Sequence, residues 1–192
     1  MSDRYEQVEV RSRQELRSWL GAHHATSPGI WLVTYKKRSG GPHVPYDAVV
    51  EEALCVGWVD SRPRKVDDDR SSLLLTPRRP TSRWSAANKA RIARLEASGL
   101  LLPAGLAAVA RARESGTWDA LRDVDDLVEP DDLVAALDAA PPARTNWDGF
   151  PPSVRRGILE WILSAKRPET RSVRITTTAT EAAAGRRANQ WR

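Results

Sequence analysis

Hydrophobic and polar positions alternate in two different ways along this chain, and the change comes near its middle. In the first half the apolar residues cluster in short runs. Gly29-Ile30-Trp31-Leu32-Val33-Thr34-Tyr35-Lys36-Lys37 is β-branched and aromatic, which predicts a strand. Trp58-Val59-Asp60-Ser61 and Ser72-Leu73-Leu74-Leu75-Thr76 predict two more, paired antiparallel, with Asp67-Asp68-Asp69 as turn chemistry between them. Ser39-Gly40-Gly41-Pro42 reads as a turn or loop. Residues 1–12 show only weak extended character. Two helices interrupt the strands. Ser12 to Gly21 has a capping box at Ser12 and Glu15, with Leu16, Trp19 and Leu20 on one face. Tyr46 to Cys55 carries Val49, Val50, Ala53 and Leu54 on one face.

From Ser85 onward the spacing is helical. Trp84, Ala87, Ile92 and Leu95 form one stripe, and Pro103 to Arg113 opens on a proline. Trp118 to Glu129 reads as a connection, Pro130 to Leu137 as an acid-capped helix, and Pro141 to Phe150 as a turn or short helix. A helix from Pro151 to Ala165 repeats Val154, Ile158, Leu159 and Ile162. Lys166 to Arg171 breaks it and starts the last helix, which contains the poor helix formers Thr176, Thr177 and Thr178. The terminal Trp191 is expected to dock on the body. The fold class is therefore α+β. A small, mostly antiparallel sheet from the N-terminal half is followed and covered by helices. Residues 1–100 are expected to form the α+β core and residues 101–192 a helical region packed on it as one globular unit.

Composition narrows the function classes. The chain has 192 residues, 29% charged and 41% hydrophobic, an ordinary soluble balance. No apolar run approaches a membrane span. The start, Met1 to Glu6, lacks the apolar core of a signal peptide. Cys55 has no partner for a disulfide. A cytoplasmic location without a membrane partner is the expectation. The net charge of +5 and pI of about 9.8 allow a polyanion partner. They equally fit arginine used in place of lysine. His23, His24 and His43 have no companion ligands, so neither metal nor cofactor is expected. The Walker, nucleophile-elbow, zincin and dinucleotide patterns do not occur.

Candidate chemistry concentrates in residues 57–89. Asp60 follows an apolar strand and precedes a basic run, as a buried acid/base or an arginine acceptor would. Arg78 and Arg79 follow Thr76-Pro77, offering planar forks to carboxylate or phosphate. Ser82, Ser85 and Asn88 lie near a helix start, and Trp58 and Trp84 could supply flat walls. An anion pocket and a purely structural network both fit these residues.

The run Glu51-Glu52-Ala53-Leu54-Cys55-Val56-Gly57-Trp58-Val59-Asp60-Ser61 precedes Thr76-Pro77-Arg78-Arg79-Pro80-x-Ser82-x-Trp84-Ser85-x-x-Asn88. Together they resemble the YdeI/OmpD-associated, or bacteriocin-protection, family. Thr34 to Lys37, Pro103 to Gly105, Ser164 to Arg171 and the closing Ala188 to Trp191 are similar too. Val56 stands where an aromatic is common. The resemblance implies tolerance to antimicrobial peptides or envelope stress, and brings no reaction, cofactor or catalytic residue. The leading expectation is a cytoplasmic protective protein that binds a small anionic or aromatic ligand. Lys36, Trp58, Arg64, Thr76, Arg78, Arg79, Ser82, Trp84, Ser85 and Asn88 are the ligand-binding candidates. One alternative is an enzyme acting on an antibiotic or phosphorylated metabolite, with Asp60 as acid/base. The other is nucleic-acid binding through Arg62, Arg64, Lys65, Arg78, Arg79, Arg83 and Lys89. Two geometric expectations follow. An Asp60 oxygen lies within about 6 Å of an Arg78 or Arg79 guanidinium, and Asn88 faces the same cavity.

Overall fold

A computed structural model describes residues 4–189. The chain divides into two compact units, Met1–Asp119 and Ala120–Arg192. The N-terminal unit runs β1 (Glu6–Glu9), α1 (Arg13–His23), β2 (Ile30–Tyr35), a single 3-10 turn (Lys37–Ser39), α2 (Tyr46–Cys55), β3 (Trp58–Lys65), β4 (Arg70–Pro77), α3 (Ala86–Ala97) and α4 (Pro103–Glu114). The four strands form one sheet in the order β1-β2-β4-β3. β1 and β2 are parallel and are joined through α1, whereas both pairings of β4 are antiparallel. The molecule is thus α+β with a mostly antiparallel sheet. The weakly extended N-terminus is more ordered than its composition suggests, because β2 supplies a hydrogen-bonding edge to Glu6–Glu9.

Alternation along the strands sorts the side chains. Ile30, Leu32, Leu75 and Trp58 face α1 and α2, where they pack with Leu16, Leu20 and Val49. Each such leucine or isoleucine contributes about 1.5–3 kcal/mol relative to an exposed one. α1 starts as expected, with the Ser12 side chain accepting from the Glu15 amide. The other face of α2 carries Val50, Leu54 and Cys55 into a second cluster with Trp84, Ile92, Leu95 and Val109. At Gly57 the chain turns with φ of +72°, and a Cβ there would press on the Ala104 carbonyl and Ala108 of α4. Glycine therefore lets α4 lie directly against the α2–β3 corner.

β3 is irregular. Asp60 pairs with Leu75 and Pro63 with Leu73, so Ser61 and Arg62 together oppose Leu74. This bulge shifts the alternation by one residue. Pro63 then faces the same side as Asp60, while Arg64 lies 4.2 Å over the Trp31 ring on the other side.

The C-terminal unit contains α5 (Arg122–Asp125), α6 (Asp131–Asp138), α7 (Ala143–Asp148), α8 (Pro152–Leu163) and α9 (Pro168–Ala183). Its core holds Leu133, Leu137, Trp147, Ile158, Ile162 and Ile175. The threonine run does not break α9. Thr177 and Thr178 donate their hydroxyls to the carbonyls of Val173 and Arg174, one turn earlier. Trp191 lies outside the described residues. No described helix is long and apolar enough to cross a membrane.

Candidate functional site

The antiparallel hairpin brings the start of β3 beside the end of β4. Trp58 pairs with Pro77, and the Arg78 amide donates to the Gly57 carbonyl at 3.0 Å. Pro77 then ends the ladder, and the chain doubles back through a turn closed by the Ser82 amide on the Arg79 carbonyl. That turn lays the Arg78 guanidinium 3.8 Å over the Trp84 ring. Its Nη1 donates to the Arg83 carbonyl at 2.9 Å. Burial pushes the Arg78 pKa down to about 10, and the negative charge of Asp60 opposes that shift.

Three N–H donors in this short segment are buried without an acceptor: Nε of Arg78, Nη1 of Arg83 and Nε1 of Trp84. A buried donor left unsatisfied costs about 1–3 kcal/mol. Two of these residues, Arg78 and Trp84, line a recess of about 10 Å³, where they and Arg79 meet Ala108 and Arg111 of α4. It has room for roughly one oxygen atom. Three guanidinium groups around such a recess favour an anion.

Asp60 and Arg78 are brought into electrostatic contact. The Asp60 carboxylate takes its hydrogen bond from the Tyr46 hydroxyl at 2.7 Å and acts on Arg78 through its charge. Burial, then the hydrogen bond and charge of Asp60, push the Tyr46 pKa up to about 12. Asn88 belongs to a neighbouring group. Its Oδ1 accepts from Arg91 Nη1 at 3.0 Å, and Arg91 Nη2 reaches Asp47 at 2.5 Å. Arg91 acts electrostatically on Tyr46, so this group adjoins the Tyr46–Asp60 pair at the start of α2. Asn88 itself does not line the recess.

The remaining candidates have mainly structural partners. Trp58 is 1% exposed, with its indole N–H on the His24 carbonyl, which makes it a core residue and not a wall open to a ligand. Trp84 is equally enclosed, and Arg78 already covers its ring. Lys36 donates to the Asp67 and Asp68 carbonyls and holds the β3–β4 turn. Arg64 lies on Trp31, Thr76 pairs with Val59 in the ladder, and the Ser85 hydroxyl caps α3 by accepting from the Asn88 amide. Asp67 is the hub of the turn, accepting from the Asp69 and Arg70 amides and pairing with the Arg70 side chain. Much of the basic run is thus neutralised locally, with Lys65 on Asp68 and Arg70 also on Glu9. Among the described residues no three His, Cys, Asp or Glu side chains converge as a metal site requires.

Tyr46, Arg91 and Arg111 were not among the sequence candidates. Tyr46 and Arg91 occupy helix positions with no motif around them. Arg111 comes from α4, more than thirty residues beyond Arg78, and only tertiary packing reveals it.

Residues 8–108, more than half of the chain, match a family model described as a domain of unknown function, DUF8412. Residues 126–185 match a second model, described as bacteriocin-protection, YdeI or OmpD-associated, which is the family the sequence resembles. The Tyr46–Asp60 pair and the recess residues Arg78, Arg79, Trp84 and Ala108 fall within the first match, and Arg111 lies just beyond it. Comparisons with the curated proteins and with the solved structures find no match. The chain therefore belongs to the DUF8412 family, whose model covers residues 8–108, and its residues 126–185 match the YdeI/OmpD-associated model.

Proposed function

We propose that this chain is a cytoplasmic protective protein that acts by holding a small oxyanion, a phosphate or carboxylate group, at Arg78, Arg79, Arg111 and Trp84. The observation that carries this reading is that Arg78 and Trp84, which both hold buried, unpartnered N–H donors, line a recess that admits one oxygen. One anion oxygen enters the recess and satisfies buried donors. Arg79 and Arg111 hold the rest of the group from the rim. The protective role follows from the YdeI/OmpD-associated match, and the ligand chemistry from the arginines.

Titration with inorganic phosphate, followed through the indole N–H resonance of Trp84, tests it. A donor that gains an acceptor should shift saturably downfield. Arg79→Ala and Arg111→Ala should each weaken binding roughly three- to tenfold, the contribution of one charged contact at a partly exposed rim. The reading fails if neither phosphate nor small carboxylates move that resonance, or if the double variant binds as the wild type does.

A further inference from the structure

We propose a second ligand site, independent of the anion recess, for an uncharged single-ring aromatic molecule carrying a hydroxyl group. It lies between the helix-facing side of the sheet and the segment that leads from β2 to α2. On that side the apolar surface of β2 and β4 ends abruptly. Past Leu32 and Leu73 come Thr34 and Ser71, which are register partners with short side chains. α2 begins only at Tyr46, so residues 36–45 must arch over the gap. The arch is held in place from below. The Gly41 backbone lies on the Tyr35 ring so closely that any Cβ would collide with it. The His43 Nδ1 is 2.7 Å from the Tyr35 carbonyl, and Val44 is buried beneath the arch. A cleft of about 190 Å³ remains.

The lining states what fits. Leu32, Val44, Val49 and Leu73 contribute an apolar floor. Tyr46, 55% exposed, offers its ring at the mouth. Ligand clefts for drug-sized molecules measure about 300–1,000 Å³, so this one suits a single ring with one substituent. Charge is not matched here. Lys36 lines the cleft, but its ammonium is drawn onto the Asp67 and Asp68 carbonyls, and no carboxylate lines the cleft. An anionic ligand would have to draw Lys36 off those two carbonyls to reach a counter-ion, and a cationic one would find none. The polar complement comes from His43. A carbonyl can only accept, so Nδ1 carries the proton that goes to Tyr35, and in the neutral ring Nε2 is left as an acceptor. The Tyr46 hydroxyl has given its proton to Asp60, so its oxygen too can only accept. The matching ligand group is therefore a hydroxyl donor on an aromatic ring.

Phenol, toluene and benzoate are the probes, titrated while the backbone amide resonances of Gly41, Ser71 and Leu73 are followed. Phenol should shift these amides saturably, and benzoate should bind at least about tenfold more weakly because its charge must be desolvated. Ser71→Phe, which fills the cleft from a strand position, should abolish binding. His43→Ala, at an exposed position that leaves the volume open, should weaken phenol roughly fivefold, one neutral hydrogen bond, and leave toluene unchanged. The inference is overturned if none of the three probes shifts the amides, if benzoate binds as well as phenol, or if His43→Ala treats phenol and toluene alike.

Discussion

Glu52 and Arg78 are both charges taken largely out of water, and the fold treats them in opposite ways. Glu52 lies on α2 with its side chain 2% exposed. Both of its oxygens are filled, by Nε of Arg13 at 2.5 Å and by Nε of Arg17 at 2.8 Å, with Arg17 Nη2 at 3.3 Å. The hydrogen bond to Glu52 pushes the Arg17 pKa up. Arg78 is stacked and half-buried, yet its Nε and the neighbouring donors of Arg83 and Trp84 face no acceptor. A closed network of this kind locks α1 to α2. An open one waits for a partner. The difference separates a charge that serves the scaffold from one that can serve a ligand, and amino-acid type alone does not show it.

The comparison is most directly broken at Glu52. Glu52→Ala should destabilise the protein by about 3 kcal/mol in urea denaturation, the low end for a broken buried pair, because both arginines can turn to solvent. A loss under about 1 kcal/mol would mean that the network is not what holds the two helices.

A smaller effect sharpens it at the two buried tryptophans. Trp58→Phe loses the bond to the His24 carbonyl, whereas Trp84→Phe removes a donor that has no partner. Thermal or urea unfolding should show Trp58→Phe to be worse by about 1–2 kcal/mol. Equal costs would show that the Trp84 N–H is already satisfied.

The smallest effect is on titration. With its pKa near 12, Tyr46 stays protonated in the folded chain while an unfolded tyrosine ionises near 10. Its contribution to stability is complete below about pH 10 and is lost as the pH rises towards 12. Phenolate absorbance should show a late-titrating step that is absent in Tyr46→Phe and shifted downward in Asp60→Asn. If Asp60→Asn leaves that step in place, Asp60 does not hold the Tyr46 proton, and the link from α2 to Arg78 is severed.

How much of this was legible in the sequence depended on whether a feature is local. The hairpin from Trp58 to Pro77 could be read from its apolar runs and acidic turn, and antiparallel pairing placed Trp58 beside the end of β4 with Asp60 two residues further, within reach of an arginine side chain. α2 could be read from one apolar stripe, although Glu52 and Cys55 are buried as well, because α2 lies between the sheet and α3 and α4. Glu6–Glu9 could not be read as a strand, since Val8 is its single apolar residue and β2 supplies the reason for it. The sequence left the roles of the two tryptophans open, because indole suits a core and a pocket equally. Cys55 was legible as an inert core residue. Burial and the charge of Glu52 push its thiol up to about 11, against the pull of Arg17 and Arg13.

The bulge in β3 has a consequence for how this protein behaves at high concentration. β3 forms one outer edge of the sheet, where unpaired backbone groups invite pairing with another chain. Between Asp60 and Pro63 the ladder slips, Pro63 has no N–H to offer, and Arg62, Arg64 and Lys65 place positive charge along the same stretch. These features blunt the strand as a template for edge-to-edge growth. The basic run that suggested a polyanion partner thus has a second explanation, as charge that disfavours pairing along an open sheet edge.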